Sequence, residues 1–290
     1  MRSLFKVIII PLSIVTLCLS GCATQTVHKK SSVMEYLYPT SEDTKIVPSI
    51  PHLQLPLKVG IAFVPESKGQ SHSFNFWTGK SYSNNISEAQ KSDLLEKVAD
   101  NFRTLEFVEQ LEVIPSEYLT PEGSFTNLNQ IKTMYGIDVI ALVSYDQVQF
   151  TDENALSLSY WTIVGAYLIS GSKNDTNTLM DTVVYDISSK KMLFRAPGSS
   201  SVKGKSTPIN LNEELRTDSL TGFEIAAQNM VENLKLQLDK FQASLKDNPE
   251  QAKISHKAGY TGAGSTGYFE LFVLFFIFIG LRRKISINKQ

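Results

Sequence analysis

Hydrophobic positions come in short, punctuated runs along this chain, and their spacing predicts the elements. From Leu57 to Val64 the run is apolar throughout, with Val59, Ile61 and Phe63 alternating with Gly60, Ala62 and Val64. A strand covered on both faces has this pattern. Ser87 and Gln90 then stand at capping-box spacing, and Leu94, Leu95, Val98 and Phe102 follow at helical intervals, so a helix is expected to about Arg103. Val108 to Ile114 reads as a second strand, stopped by Pro115, and Asn127 to Tyr135 as a short helix with Gly136 in the C-cap position. Ile137 to Phe150 reads as a long strand, apolar throughout its first half and alternating through Tyr145, Val148 and Phe150 in its second.

Beyond a turn at Asp152-Glu153-Asn154 the pattern changes to consecutive strands. These are Ala155 to Trp161, Thr178 to Ile187 and, after a turn at Ser188-Ser189-Lys190, Lys191 to Ala196. Phe223, Ala227, Met230, Leu234, Leu238, Phe241 and Leu245 then repeat every three or four residues, predicting one amphipathic helix from about Asp218 to Leu245. Alternating β and α elements, then strands, then a long helix predict an α/β (α+β) domain, a mixed sheet flanked by helices. With its Gly136-Ile137-Asp138 strand entry and closing Val184-Tyr185-Asp186, this element order is similar to that of TolB N-terminal and CsgG-like envelope domains.

The two ends carry a different kind of signal. Arg2 and Lys6 precede an apolar run from Val7 to Leu19, too short to span a bilayer comfortably, which ends in Leu19-Ser20-Gly21-Cys22. A basic region, an apolar region and small residues before a cysteine are the parts of a lipoprotein export signal. The last four residues resemble the lipobox of bacterial lipoproteins. That resemblance implies cleavage between Gly21 and Cys22 by lipoprotein processing enzymes, with Cys22 acylated as the new N-terminus. Ala23 stands where an aspartate would retain such a protein in the inner membrane, so the resemblance implies transfer to the outer membrane. Each buried methylene contributes about 0.8 kcal/mol, which makes a multiply acylated cysteine an effectively permanent anchor. Cys18 leaves with the signal peptide, so no thiol remains for a disulfide, a thiolate metal site or a nucleophile.

At the other end, Tyr268 to Leu281 is apolar except for Glu270 and is followed by Arg282, Arg283 and Lys284. As a helix it makes about 21 Å against about 30 Å of hydrocarbon, a marginal span, and the basic residues orient it toward the cytoplasm. Gly259, Gly262, Gly264 and Gly267 precede it among Thr261, Ala263, Ser265 and Thr266, a helix-poor entry suited to an intramembrane protease. Helix-poor small residues, a short apolar span and an arginine pair resemble the GlyGly-CTERM sorting signal recognised by rhombosortase, a rhomboid-family serine protease. The glycine pair of that signal here reads Gly262-Ala263-Gly264-Ser265. A lipobox and this tail on one chain resemble the rhombotarget lipoprotein family. The resemblance implies C-terminal cleavage near the glycines and a route to the outer membrane or cell surface, with type II secretion as the transport partner, and it implies no biochemical activity. The organisation expected is a signal peptide over 1–21, a tether over 22–54 with Tyr36, Leu37 and Tyr38 as candidates for docking on the domain, a globular domain over 55–245, a glycine-rich linker and processing region over 246–267, and a hydrophobic sorting segment with a basic tail over 268–290.

Charge narrows the partners. The whole chain carries 28 basic and 29 acidic residues; removing 1–21 and cutting after Gly264 takes away six basic residues and Glu270, leaving 22 against 28 and a formal charge of −6. This balance argues against nucleic acid and against an anionic-lipid surface patch. Candidate chemistry is sparse. His28, His52, His72 and His256 fall on expected linkers and one loop, with no pair at metal-ligand spacing, and no nucleophile elbow, phosphate loop or dinucleotide fingerprint is present. No cofactor or metal is expected. Asp138, Asp146, Asp181 and Asp186 lie in or beside expected strands, where they serve either as strand-edge residues and Asx turns or as a polar site. Phe74, Phe76, Trp77 and Tyr82, within the loop Gln70 to Ser83, form either a contact surface or a cover over a sheet edge. Tyr160 to Gly171 is too apolar for an exposed loop and reads first as core strand. The expectation is a non-enzymatic, membrane-tethered lipoprotein whose domain binds another envelope component. The alternative is an exported hydrolase with a dispersed carboxylate site.

Overall fold

The computed structural model describes residues 25–40, 46–66, 73–75, 80–82, 86–153, 172–207 and 209–260. Its strands are β1 (Gln25–Lys30), β2 (His52–Leu55), β3 (Leu57–Phe63), β4 (Ser73–Asn75), β5 (Lys80–Tyr82), β6 (Val108–Val113), β7 (Val139–Glu153), β8 (Ser172–Asp186), β9 (Lys191–Ser206) and β10 (Lys253–His256). Its helices are α1 (Val33–Leu37), α2 (Glu88–Ala99), α3 (Ser124–Tyr135) and α4 (Leu211–Asp247). The main sheet has six strands in the order β6-β3-β7-β8-β9, with β1 also paired to β7. It is mixed: β3 is parallel to β6 and β7, whereas β7, β8 and β9 form an antiparallel meander. The fold is therefore α+β, as the periodicities predict.

Connection rules explain the layers. The chain steps outward from β3 to β6 through α2, then back across β3 to β7 through α3. Right-handed crossovers in opposite directions place their helices on opposite faces. Accordingly α2 and α4 cover Ile61, Phe63, Val143, Tyr145, Met180 and Ala196, while α1 and α3 cover Ala62, Val64, Ile140, Leu142, Val183 and Tyr185. Odd and even positions of β3 thus feed different cores, which is why its sequence is apolar throughout. The ends of the helices follow their local chemistry. Ser87 and Gln90 make both hydrogen bonds of the capping box ahead of α2, and Gly136 closes α3 with φ 65°, a left-handed conformation that suits glycine.

The expected tether over 22–54 is corrected by the structure. β1 pairs antiparallel with β7, Gln25 opposite Thr151 and Lys30 opposite Asp146. α1 then buries Val33, Tyr36 and Leu37, and the Tyr36 hydroxyl donates to Asn127 Oδ1 at 2.7 Å. β2 pairs in parallel with β10, His52 opposite Lys253. The expected linker over 246–267 is corrected by the same pairing, since α4 runs to Asp247 and the chain returns through Pro249–Gln251 to β10. Pro39, Pro48, Pro51 and Pro56 fall between these elements and not inside them, so the prolines punctuate short structure instead of preventing it. The strand expected at Ala155 to Trp161 and the segment Tyr160 to Gly171 lie outside the described residues.

β8 and β9 are longer than their apolar runs. Their added residues face the first half of α4 across a polar seam. Gln147 Nε2 donates to Thr178 Oγ1 at 2.7 Å and to the Ser219 carbonyl at 3.1 Å; Gln149 Nε2 donates to Thr176 Oγ1 at 3.0 Å and to the Leu215 carbonyl at 2.8 Å. Such groups are tolerated in the interior because they bond to one another and to the helix backbone.

Candidate functional site

Cys22, Gly21, Gly262, Ala263, Gly264, Ser265, Phe76, Trp77 and His72 lie outside the described residues. Phe74 and Tyr82 lie on the backbone of the β4–β5 hairpin, opposite Ser81 and Ser73. The other histidines are in strands and not in linkers. His28 Nε2 bonds Asp146 Oδ1 at 2.8 Å, His52 Nε2 bonds Ser255 Oγ at 2.9 Å, and the His256 ring stacks on Tyr260. The four aspartates do not converge. Asp138 Oδ2 accepts from the Lys58 amide at 3.4 Å, Asp186 is buried and accepts from the Ser189 amide at 2.9 Å, and Asp181 accepts from Arg195 Nε at 2.8 Å. Asp181 pairs with Ser144 across β7 and β8, so it shares a face with Asp146 two residues along, Asp181 meeting Arg195 and Asp146 meeting His28. Among the described residues, no three His, Asp or Glu side chains are grouped to hold a metal ion.

A polar network that sequence reading missed closes the carboxyl ends of parallel β3 and β6. This is where open α/β sheets commonly place ligands. Tyr145 donates to Glu66 Oε1 at 2.7 Å, Lys91 Nζ stands 2.9 Å from Glu88 Oε1 and 3.7 Å from Glu66 Oε1, and Ser116 donates to Glu88 Oε2 at 2.6 Å. Burial pushes the Tyr145 hydroxyl well up, and its bond to Glu66 adds to that. Burial opposes ionisation of Glu88, yet the Ser116 hydroxyl and the Lys91 ammonium hold it below the usual carboxylate range. The charges thus answer one another within the protein.

Beside this network Lys29 is buried on β1, and its Nζ has no hydrogen-bond partner among the described residues. Burial lowers it to about 8, against a smaller opposing pull from Glu66. Below pH 8 the folded and unfolded chains both carry the charge, and the folded state bears the full desolvation penalty. Between about pH 8 and 10.5 only the unfolded chain holds the proton, so stability rises with pH across that window. Lys29→Met is expected to stabilise the protein by about 1–3 kcal/mol at pH 7 and to flatten that rise. Urea unfolding of both proteins from pH 7 to 10 measures this, and an unchanged slope would exclude Lys29 as its source.

At the opposite end of the sheet, where β3 and β7 begin, the helices leave an apolar cavity of about 660 Å³. α2 stops at Ala99 while α4 continues to Asp247, so the space beyond the last turn of α2 is walled on one side by α4 alone. Its floor is Val59, Ile61, Val139 and Ala141, and Leu234, Leu238, Phe241 and Leu245 descend along the α4 wall. The β2–β10 ribbon contributes Leu53, Leu55 and Ile254, Phe102 and Phe107 close the α2 side, and Tyr260 stands at the edge. The volume lies in the range of small-molecule sites, about 300–1,000 Å³. With no nucleophile or paired acid and base in its lining, what this cavity can do chemically is bury apolar surface. Its trace in sequence is the stripe on α4, which extends about two turns beyond what α2 can cover.

No family model matches the chain, and no curated protein matches it. Among solved structures it is similar to a dodecamer of a PelC point variant from Paraburkholderia phytofirmans, at 8% identity over 72% of this chain and 99% of that chain. The TM-score is 0.24, and a likeness of that size carries no argument for fold or function.

Proposed function

We propose that this chain is a non-enzymatic envelope lipoprotein whose domain binds an apolar group of another envelope component in the cavity below α2. The observation that carries this reading is the cavity itself: about 660 Å³, open, and lined mainly by aliphatic and aromatic side chains, with Glu106, Asp239, Gln242 and Lys246 as its polar members. Burying apolar surface contributes about 25 cal/mol per Å², so such a recess favours an apolar occupant over water. In this reading Cys22 carries the lipid, and a rhombosortase-type protease removes the segment after Gly262-Ala263-Gly264-Ser265 for outer-membrane or surface sorting, with type II secretion as the carrier. β1 begins at Gln25, three residues after Cys22, and is tied into the sheet, so the domain is held close to its membrane. The rival hydrolase requires Asp138, Asp146 or Asp186 to share a pocket with a histidine; among the described residues Asp146 meets one, His28, on a half-exposed strand face.

The test is photolabelling. A diazirine-bearing fatty acid is expected to label the cleaved protein on peptides containing Phe107, Leu238 and Phe241. Ala141→Phe, which projects a ring from the floor into the cavity, is expected to lower that labelling at least fivefold while the protein stays folded. Labelling elsewhere, or labelling that Ala141→Phe leaves unchanged, would contradict the reading.

A further inference from the structure

Resting on that reading, we propose that the occupant of the cavity is one linear acyl chain of about fourteen carbons, inserted methyl end first from a single-chain lipid with a zwitterionic head. The cavity has two unlike ends. Val98 and Ala99 in the last turn of α2, with Leu234 on α4, are buried and close one end. From there the α4 wall continues through the half-buried Leu238, Phe241 and Leu245, flanked by the exposed Asp239, Gln242 and Lys246, and Glu106 is exposed on the facing side. This gradient fixes the direction of any ligand with one apolar and one polar end: the apolar end lies under α2 and the polar end at the mouth.

Length and volume set the class of ligand. Leu234 to Leu245 line the cavity along about 17 Å of α4. Carbon–carbon bonds of about 1.5 Å in a zigzag advance an extended chain by about 1.25 Å per carbon, so about fourteen carbons fill that length. A methylene occupies roughly the 30 Å³ that a water molecule takes in the liquid. One such chain therefore needs about 420 Å³ of the 660 Å³ present, and two would need about 840 Å³. One chain fits and two do not. A two-chain lipid that inserted one chain would leave the other in water against a charged rim. That rim carries both signs, Glu106 and Asp239 against Lys246. A head with an ammonium and a phosphate finds an opposite charge for each group, whereas a free carboxylate meets two like charges and one opposite. Lysophospholipids combine one chain with such a head, and the cavity selects them from the excess of two-chain lipid in a membrane.

The cleaved, lipidated protein, held in vesicles of a two-chain phosphatidylcholine and labelled with the photoreactive fatty acid, tests this by competition. Competitors are compared at equal mole fraction in the vesicle. Fourteen-carbon lysophosphatidylethanolamine is expected to suppress labelling of the peptides containing Phe107, Leu238 and Phe241 at least about fivefold more strongly than two others: its twenty-carbon homologue, whose chain overfills the cavity, and the two-chain phosphatidylethanolamine of the same chain length. Leu234→Ala removes about three carbons from the closed end and is expected to move the best chain to about seventeen carbons. Should that variant not fold, the comparison in the parent protein decides alone. Equal suppression by one-chain and two-chain lipids, by fourteen-carbon and twenty-carbon chains, or by a rigid sterol overturns the proposal and leaves the binding of an apolar group standing. An unchanged length preference in folded Leu234→Ala overturns the placement of the methyl end. Absence of label from those peptides without any competitor contradicts the binding function, and the proposal falls with it.

Discussion

Gly198→Ala is expected to destabilise the domain by about 3 kcal/mol, measured as a lower urea midpoint. Gly198 lies in β9 opposite Met180, where α4 backbone packs directly over it. A methyl group there would press into the Ala226 carbonyl and the Met230 amide, both in the helix backbone, and against Met230 Cβ at 2.7 Å. Backbone cannot swing aside as a long side chain can, so α4 would have to lift from β9. That displacement would loosen Phe223, Ala226 and Met230, all buried in the core beneath α4, and would also disturb the wall of the cavity further down the helix. Ser199→Ala, at the exposed neighbouring position, is expected to change stability by less than about 0.5 kcal/mol. Equal midpoints for Gly198→Ala and the parent would contradict the seating of α4 described above.

Cys22→Ser is expected to abolish membrane attachment or to leave an uncleaved precursor. Only Cys22 follows small residues at the end of the apolar leader, and each lost methylene removes about 0.8 kcal/mol of anchoring, summed over several acyl chains. Metabolic acyl labelling combined with membrane fractionation reads the result. A mutant that still incorporates labelled acyl chains and sediments with membranes would place the anchor elsewhere. Among the described residues no helix is long and apolar enough to cross a membrane.

What was legible in the sequence was whatever depends on burying apolar side chains at a regular period. β3, α2, α3 and the start of β7 could be read because Ile61, Leu94, Leu128 and Val143 answer to packing alone. What escaped was order held by polar contacts. β1 alternates Val27 and Lys29 inward, and a buried lysine does not look like core. The upper halves of β8 and β9 face α4 with the buried Asn174, Thr176 and Thr178 and the half-buried Ser200, which depend on partners such as Gln147 and the Gly222 carbonyl that lie far away in sequence. β2 and β10 are four residues each, and they pair across nearly two hundred intervening residues, too short and too distant for any local pattern to reveal.

The candidate site escaped for a related reason. A cavity is the absence of a neighbour, and Leu238, Phe241 and Leu245 carry the same spacing whether a second helix covers them or not. The stop of α2 at Ala99 decides the matter, and only the relative placement of two helices shows it. The polar network of Tyr145, Glu66, Lys91 and Glu88 likewise assembles from three elements. By contrast, the two terminal signals proposed above, at Leu19 to Cys22 and after Gly262, are linear, and a signal of that kind is carried by a peptide segment and not by a surface.

Intact-mass measurement of the protein taken from its native membranes tests the central claim most directly. The account predicts a single species that begins at acylated Cys22 and ends between Gly262 and Gly267, lacking Tyr268 to Gln290. A species found in the outer membrane that retains those last 23 residues would contradict the sorting signal.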